Sequence, residues 1–345
     1  MAFDPTERVP VGRTGISVTR LGFSAASIGG VFDVIDEDAG LGTIAHAWEL
    51  GVRYFDVAPL YGYGTAERRL GRSLAGRPRD EFILSTKVGR LVRRPNEIEP
   101  GATIDRNAFG DRRDADRTED TGFRVVFDFS RDGILRSVEE SLGRLGLDRI
   151  DILLLHDPDD HWEAAIGDAY PTLHRLREEG VVRAIGAGMN QSEMLTRFAR
   201  EGDFDVFLVA GRYTLLDQGA LAELLPTCVE RNVAVVIGGV MNSGILAAPG
   251  QGARFNYKPA PAEIVERARR IAAVCDRHGV SLKAAAIQFP LAHPAVASVV
   301  AGVGQIEHLD DYPTSMRQAI PADLWVELRS EGLLAPDAPV PGGVP

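Results

Sequence analysis

Residues 150–157, Ile-Asp-Ile-Leu-Leu-Leu-His-Asp, decide how this chain is read. Ile150–Leu155 is dominated by aliphatic residues with no alternation, the pattern of a strand covered on both faces in a parallel sheet. Its polar end is His156. Two earlier runs close in the same way: Phe82–Lys87 ends on Lys87, and Tyr54–Asp56 ends on Asp56, with Tyr61 five residues further on. In an eight-stranded α/β barrel, reactive side chains sit at the carboxyl ends of several different strands. Strands ending in Asp, Lys and His therefore point to an enzyme on that fold.

Working outward, residues 8–30 (RVPVGRTGISVTRLGFSAASIGG) contain two short β-type runs around Arg13-Thr14-Gly15. They read as an N-terminal β-hairpin that would plug a barrel end, followed by a first strand at Thr19–Phe23. A helix is expected over Asp36–Leu50, with an acidic first turn and Gly51 as C-cap. Helices at Thr65–Leu74, Asp132–Leu145, Ala164–Glu179, Ser192–Arg200, Gln218–Arg231 and Ala262–His278 then alternate with strands at Tyr54–Asp56, Phe82–Lys87, Ile150–His156, Val182–Gly186, Asp205–Val209, Val233–Ile237 and Val296–Val300. A last helix ends near Ala319. Eight strands with helices between them predict an α/β chain closed into a (β/α)8 TIM barrel. No linker composition divides residues 1–345, so one domain is expected, with a C-terminal extension over 320–345.

Two stretches interrupt the alternation. Between strands 3 and 4, the long polar insertion 90–123 has mixed charge and neither periodicity, as a functional lid or a disordered segment would. Ile245–Tyr257, rich in turn residues, follows strand 7, and barrel loops after strands 7 and 8 often hold phosphate.

The formal net charge of -11 argues against nucleic acid or an anionic membrane as partner and leaves a small molecule as the expected one. Cys228 and Cys275 form no CxxC pattern, so neither a disulfide framework nor a thiolate metal site is expected. The first residues lack a signal-type apolar core, and no run of about 18 apolar residues occurs. A cytoplasmic location is the expectation.

Chemically, an ammonium beside a phenol stabilises the phenolate, so Lys87 is expected to lower the pKa of Tyr61. A lysine at the end of a buried strand needs a counter-charge, and Asp56 is the candidate. His156 would orient a hydroxyl or carbonyl oxygen. Two other chemistries compete. The run His156-Asp157-Pro158-Asp159-Asp160-His161 is dense in metal ligands, but consecutive loop residues diverge, and no metal is expected. Lys87 as a Schiff-base nucleophile would need a neutral amine, which an adjacent Asp56 opposes.

The stretches YFDVAPLYG, LSTKVG and LLLHD resemble the Asp, Tyr, Lys, His tetrad of the aldo-keto reductases, and GRTGISVTRLGF, AERRLG, LGLDRIDILLLHD, DFDVFLVAGRYTLLDQ, VVIGG, NSGILA, NYKPAPAEI and IQFPLAHPAVASVVAG are similar to its aldose 1-dehydrogenase branch. This resemblance spans nearly the whole chain. It implies Tyr61 as acid or base, Lys87 and Asp56 as its tuners, and His156 as the orienter of the reacting oxygen. It also implies an extended nicotinamide dinucleotide, with contacts from Asn190, from Gly239, Met241 and Ser243 after strand 7, and from Gly302, Val303, Gly304, His308 and Asp311 after strand 8. The implied reaction moves hydride between an aldose C1 and the nicotinamide, giving an aldonolactone, with L-fucose, D-arabinose or L-galactose as candidate sugars. NADPH-dependent reduction of aldehydes or ketones and oxidation of pyridoxal are the enzymatic alternatives. A non-catalytic nucleotide-binding subunit is the alternative of another class. A monomer or small homo-oligomer is expected.

The chain departs from the wider family at three places. Residues 301–311 offer His308 as their weak base beside Glu307, Asp310 and Asp311, where the family holds a 2'-phosphate with firm cations; this favours NAD, with NADP still open. Gly238 stands in place of the nicotinamide-stacking aromatic. Gly188-Met189-Asn190 replaces a Ser-Asn pair, leaving the Asn190 amide for the carboxamide. Phe127 and Phe129, just beyond the insertion, are expected to supply an apolar substrate wall.

Overall fold

The computed structural model describes residues 2–30, 34–105, 122–303 and 306–343. Two short antiparallel strands come first, β1 (Arg8–Pro10) and β2 (Ser17–Thr19), with Val9 opposite Val18. They form the expected N-terminal hairpin. A closed barrel of eight parallel strands follows: β3 (Leu21–Ser24), β4 (Tyr54–Asp56), β5 (Ile83–Val88), and then, beyond the insertion, five more. The insertion contributes β6 (Arg90–Arg93) and β7 (Thr103–Ile104), and β8 (Arg124–Phe127) follows just beyond it. The barrel resumes with β9 (Ile152–His156), β10 (Ala184–Met189), β11 (Val206–Ala210) and β12 (Ala234–Gly238). A small hairpin, β13 (Arg254–Phe255) and β14 (Lys258–Pro259), precedes the closing strand β15 (Val296–Ala301), which pairs back onto β3.

Side chains alternate across each strand, and the two faces have separate cores. Tyr54, Ile83, Ile152, Leu154, Ala184, Val206, Leu208, Ala234 and Val236 point into the barrel, where Val11, Ile16 and Val18 of the hairpin region close its amino-terminal end. Phe55, Leu84, Leu153, Leu155, Phe207 and Val235 point outward into the layer shared with the helices. The parity has a direct consequence for the polar strand ends. Asp56 is two residues after Tyr54, Lys87 four after Ile83, and His156 two after Leu154, so all three face the barrel interior at its carboxyl end. Thr86, of the opposite parity, turns outward and donates to Glu67 on the Thr65–Leu74 helix at 2.9 Å.

Helix starts follow their caps. Asp36 accepts the Ala39 N–H before Glu37–Glu49, and Ser130 accepts the Gly133 N–H before Arg131–Leu145. The expected strand at Val182–Gly186 begins and ends later, because Gly186 and Gly188 interrupt its β signal. Gly186 is required where it stands: the Val206 carbonyl occupies the space a Cβ would take. Leu282–Leu291 is a helix that periodicity does not reveal, since it is apolar on all sides and carries Pro290; residues 284–291 are buried throughout. The C-terminal extension contains the helix Ala322–Ser330, whose Leu324, Trp325 and Leu328 are buried.

The insertion also differs from expectation. It is not without regular structure at its ends: β6, β8 and β7 make a three-stranded antiparallel sheet in that order, with Arg90 opposite Phe127 and Leu91 opposite Val126. The apolar pair Leu91-Val92 was hidden between arginines, and Arg93 is neutralised by Glu140 at 2.9 Å. Residues 106–121, a little under half of the insertion, lie outside the described residues.

Candidate active site

Asp56 and Ser85 are register partners on neighbouring strands β4 and β5, and Lys87 stands one inward position beyond Ser85. Lys87 Nζ donates to Asp56 Oδ2 at 2.7 Å, to the Val57 carbonyl at 3.1 Å and to the Tyr61 hydroxyl at 3.1 Å. Three acceptors match the three protons of an ammonium. The other Asp56 oxygen accepts from Ser85 Oγ at 2.7 Å, and Tyr54 Oη lies 3.1 Å from Ser85 Oγ. Ser85 has a single proton and gives it to Asp56, so Tyr54 is the donor to Ser85. A continuous hydrogen-bonded row thus runs Tyr54, Ser85, Asp56, Lys87, Tyr61 from the barrel interior to its mouth. Tyr54 and Ser85 are the members that sequence reasoning missed; the signal was their inward parity with Asp56 and Lys87.

Lys87 and Asp56 are 2 % and 1 % exposed. Burial disfavours the ammonium, but Asp56 and Tyr61 outweigh it, and the Lys87 pKa is raised above the usual lysine value. A protonated amine is no Schiff-base nucleophile. The expectation for Tyr61 needs correction. Burial pushes its pKa up more than Lys87 draws it down, and Asp56 adds to the rise, so in this structure the phenol is raised and neutral. Lys87 limits the rise and does not reverse it.

The Tyr61 and His156 rings meet edge to face with centroids 6.1 Å apart. Burial, followed by the charges of Arg90 and Lys87, drives the His156 pKa well below that of a free imidazole. The ring is neutral, and Nδ1 has no hydrogen-bond partner among the described residues. A neutral imidazole can orient an oxygen by donating a hydrogen bond without carrying charge to it.

The HDPDDH run does not converge. Asp157 faces Arg90 and Asn190, Asp159 accepts from Gln191 Nε2 at 3.1 Å, and His161 packs on the Phe127 ring at 4.5 Å between centroids. Among the described residues no group of three or more His, Cys, Asp and Glu could hold a metal ion. Phe127 is half-buried, with the Arg90 guanidinium 5.0 Å from its ring centroid. Phe129, expected beside it as a wall, is 3 % exposed, packed against Phe127 and Gly89, and belongs to the core.

The residues expected to hold the dinucleotide lie along the carboxyl ends of β10, β12 and β15. Asn190 Nδ2 donates to Asp157 Oδ1 at 3.2 Å, and its carbonyl accepts from Arg212 at 2.8 Å. After β12, Gly239 (φ 61°) is exposed, Met241 is half-buried, and Ser243 (φ 59°) accepts the Tyr257 N–H at 3.0 Å. Met241 is right-handed (φ -90°, ψ 8°) and Asn242 left-handed (φ 44°), and the Asn242 N–H is engaged by the Gly239 carbonyl at 2.8 Å. Exposed main chain at Gly239 and Gly302, at the ends of the neighbouring strands β12 and β15, is what an extended dinucleotide lying along the mouth needs, and the residues fit the group. After β15, Gly302 is exposed and Val303 buried, so Val303 would offer main chain only; Gly304 lies outside the described residues. His308 is exposed, and Asp311 accepts from Lys283 Nζ at 2.6 Å. A cavity of about 320 Å³ lies there, lined by Ala247, Lys283, Asp311, Thr314 and Gln318 among others.

The barrel and its polar row define a class of protein before any comparison. The profile of the aldo/keto reductase family matches residues 20–330, and the chain belongs to that family, an oxidoreductase that works on small molecules with a nicotinamide cofactor. It is 44 % identical over 323 residues to D-threo-aldose 1-dehydrogenase of a Pseudomonas species, covering 93 % of this chain and 96 % of that one. It is 40 % identical to pyridoxal 4-dehydrogenase of Microbacterium luteolum, covering 97 % and 100 %. Among solved structures, aldo-keto reductase AKR11C1 from Bacillus halodurans superposes with a TM-score of 0.71 over 96 % of this chain and 97 % of that one at 24 % identity, a likeness of fold. No helix among the described residues is long and apolar enough to cross a membrane.

Proposed function

We propose that this chain is an NAD-dependent aldose 1-dehydrogenase, with Tyr61, Lys87, Asp56 and His156 as its reacting and tuning groups. The observation that carries the substrate is the 44 % identity to D-threo-aldose 1-dehydrogenase along almost the whole of both chains. Sugars of the L-fucose, D-arabinose and L-galactose type are the candidates. The bound nicotinamide supplies a hydride acceptor. Everything else is work for side chains. His156, neutral and buried, orients the anomeric oxygen, and Tyr61 exchanges a proton with it through an oxygen already bonded to Lys87. Removal of hydride and proton from the same C–OH group turns a cyclic hemiacetal into an aldonolactone. Because Tyr61 is held neutral, the oxidative direction needs it deprotonated and gains from alkaline pH, whereas reduction uses the proton already present.

NAD is favoured over NADP because His308 is flanked by acids and the nearby Lys283 is engaged by Asp311. Asn190, the loop after β12, Gly302 and the cavity beside Lys283 would take the nicotinamide, pyrophosphate and adenosine portions in turn. The same reading keeps a cytoplasmic monomer or small homo-oligomer, supported by two free, buried cysteines. The 40 % identity to pyridoxal 4-dehydrogenase supports pyridoxal oxidation as the second reading.

Steady-state formation of reduced nicotinamide at alkaline pH, with L-fucose, D-arabinose, L-galactose and pyridoxal against NAD and NADP, tests the reading. Sugar-dependent NADH formation is expected. Silence with every sugar alongside NADPH consumption by simple aldehydes would assign a general reductase.

A further inference from the structure

The barrel mouth holds a second polar group that the row ending at Tyr61 does not use. Gly89 (φ 93°) turns the chain out of β5 two residues after Lys87 and sets Arg90 at the start of β6. Asp157 directly follows His156 and is held at φ 41°, a left-handed conformation uncommon for a residue with a side chain. Arg90 Nη2 lies 3.2 Å from Asp157 Oδ2, and Nη1 lies 3.4 Å from Asp105 Oδ2. Asp157 Oδ2 is in turn 3.7 Å from His156 Nε2, and the Arg90 guanidinium sits 5.0 Å from the Phe127 ring centroid.

A guanidinium has five N–H donors. The Arg90 side chain is 11 % exposed, and its Nε is buried with no hydrogen-bond partner among the described residues. That nitrogen is out of reach of a bound molecule, but Nη1 and Nη2 carry four N–H bonds against the two carboxylate contacts at 3.4 and 3.2 Å, which leaves donors to spare for an acceptor on a bound molecule. A carboxylate and a guanidinium side by side offer what a hydroxyl group needs, since it donates to the first and accepts from the second. With Asp157 Oδ2 this close to His156 Nε2, and the His156 and Tyr61 ring centroids 6.1 Å apart, the pair lies within one small molecule of the reacting oxygen.

We propose that Arg90 and Asp157 recognise a hydroxyl group on the carbon next to the reacting one, so that the chain selects 2-hydroxy substrates over their 2-deoxy counterparts. This deepens the aldose reading, and rests on it only in that aldoses belong to this wider class. The test compares wild type with Arg90→Met, Arg90→Lys and Asp157→Asn on two pairs: an aldose against its 2-deoxy form in oxidation, and 2-hydroxypropanal against propanal in reduction. Arg90→Met should lose roughly 10- to 100-fold in kcat/KM on the hydroxylated member of each pair, the range of a hydrogen bond to a charged group, and little on the other. Arg90→Lys should fall in between. Unchanged NADH affinity, by fluorescence titration, shows that a variant is folded. If Arg90→Met does not fold, the same selectivity ratio is read from Arg90→Lys and Asp157→Asn. Equal losses on both members of each pair would assign Arg90 to scaffolding and overturn the proposal. A wild type that oxidises no aldose, yet discriminates the two aldehydes through Arg90, would remove the aldose reading and leave this one standing.

Discussion

Replacing Lys87 by methionine would leave the Asp56 carboxylate buried with Ser85 as its remaining side-chain partner. At 2.7 Å and an effective dielectric of about 20, the attraction lost is about 6 kcal/mol. Desolvating both charges offsets much of that in the intact pair, so the pair itself adds little to stability. Breaking one half does not recover the desolvation of the other, and the expected loss is about 3–5 kcal/mol. Against a typical total of about 5–15 kcal/mol this is large. Urea unfolding of Lys87→Met, Asp56→Asn and the double variant provides the measurement. The double variant, with no buried charge left in the pair, should recover at least about 2 kcal/mol of the Lys87→Met loss. Equal destabilisation of the Lys87→Met and double variants, or a single variant within about 1 kcal/mol of wild type, would refute the view that these charges matter chiefly to each other.

Three further outcomes are expected. Tyr61→Phe should abolish turnover while nucleotide affinity, read by fluorescence titration, stays within about twofold, because the proposed role of the phenol is proton exchange and the residues proposed to hold the dinucleotide lie elsewhere. Since burial holds Tyr61 neutral, the rate of oxidation should still be rising with pH through the range where a free phenol begins to ionise; a profile flat from neutral pH upward would show that Tyr61 is already deprotonated. His156 is neutral across the working range, so kcat/KM for reduction should show no inflection near the pKa of free imidazole, and His156→Gln, which keeps a donor, should retain more activity than His156→Leu.

How much of this was legible in one chain follows from what a strand period can carry. The runs ending at Asp56, Lys87 and His156 announced themselves because strands buried on both faces leave few places for charge. Their convergence required knowing that β4, β5 and β9 are neighbours, and that came from the repeating alternation of strand and helix. Ser85 and Tyr54 stayed hidden because a hydroxyl inside an apolar run looks like any other small or aromatic core residue until the register sets it beside Asp56. The direction of the Tyr61 pKa was misjudged for a related reason: residue order reveals that a cation is near, but not how much water has been removed. The Leu282–Leu291 helix lacked a polar face to mark its period, and the strand in Arg90–Arg93 was masked by the arginines at its ends. Arg90 itself read as one of those flanking charges, and only the turn at Gly89 brings it to the mouth.

The hairpin beneath the barrel leaves it with a single open end. Val11, Ile16 and Val18 seal the side from which water would otherwise reach Tyr54 and Ser85. Tyr54 and Ser85 are wholly buried, so their labile hydrogens reach solvent by way of the row that ends at Lys87 and Tyr61. A molecule seated over that phenol lengthens the route, and exchange of these hydrogens with bulk deuterium slows when the mouth is covered.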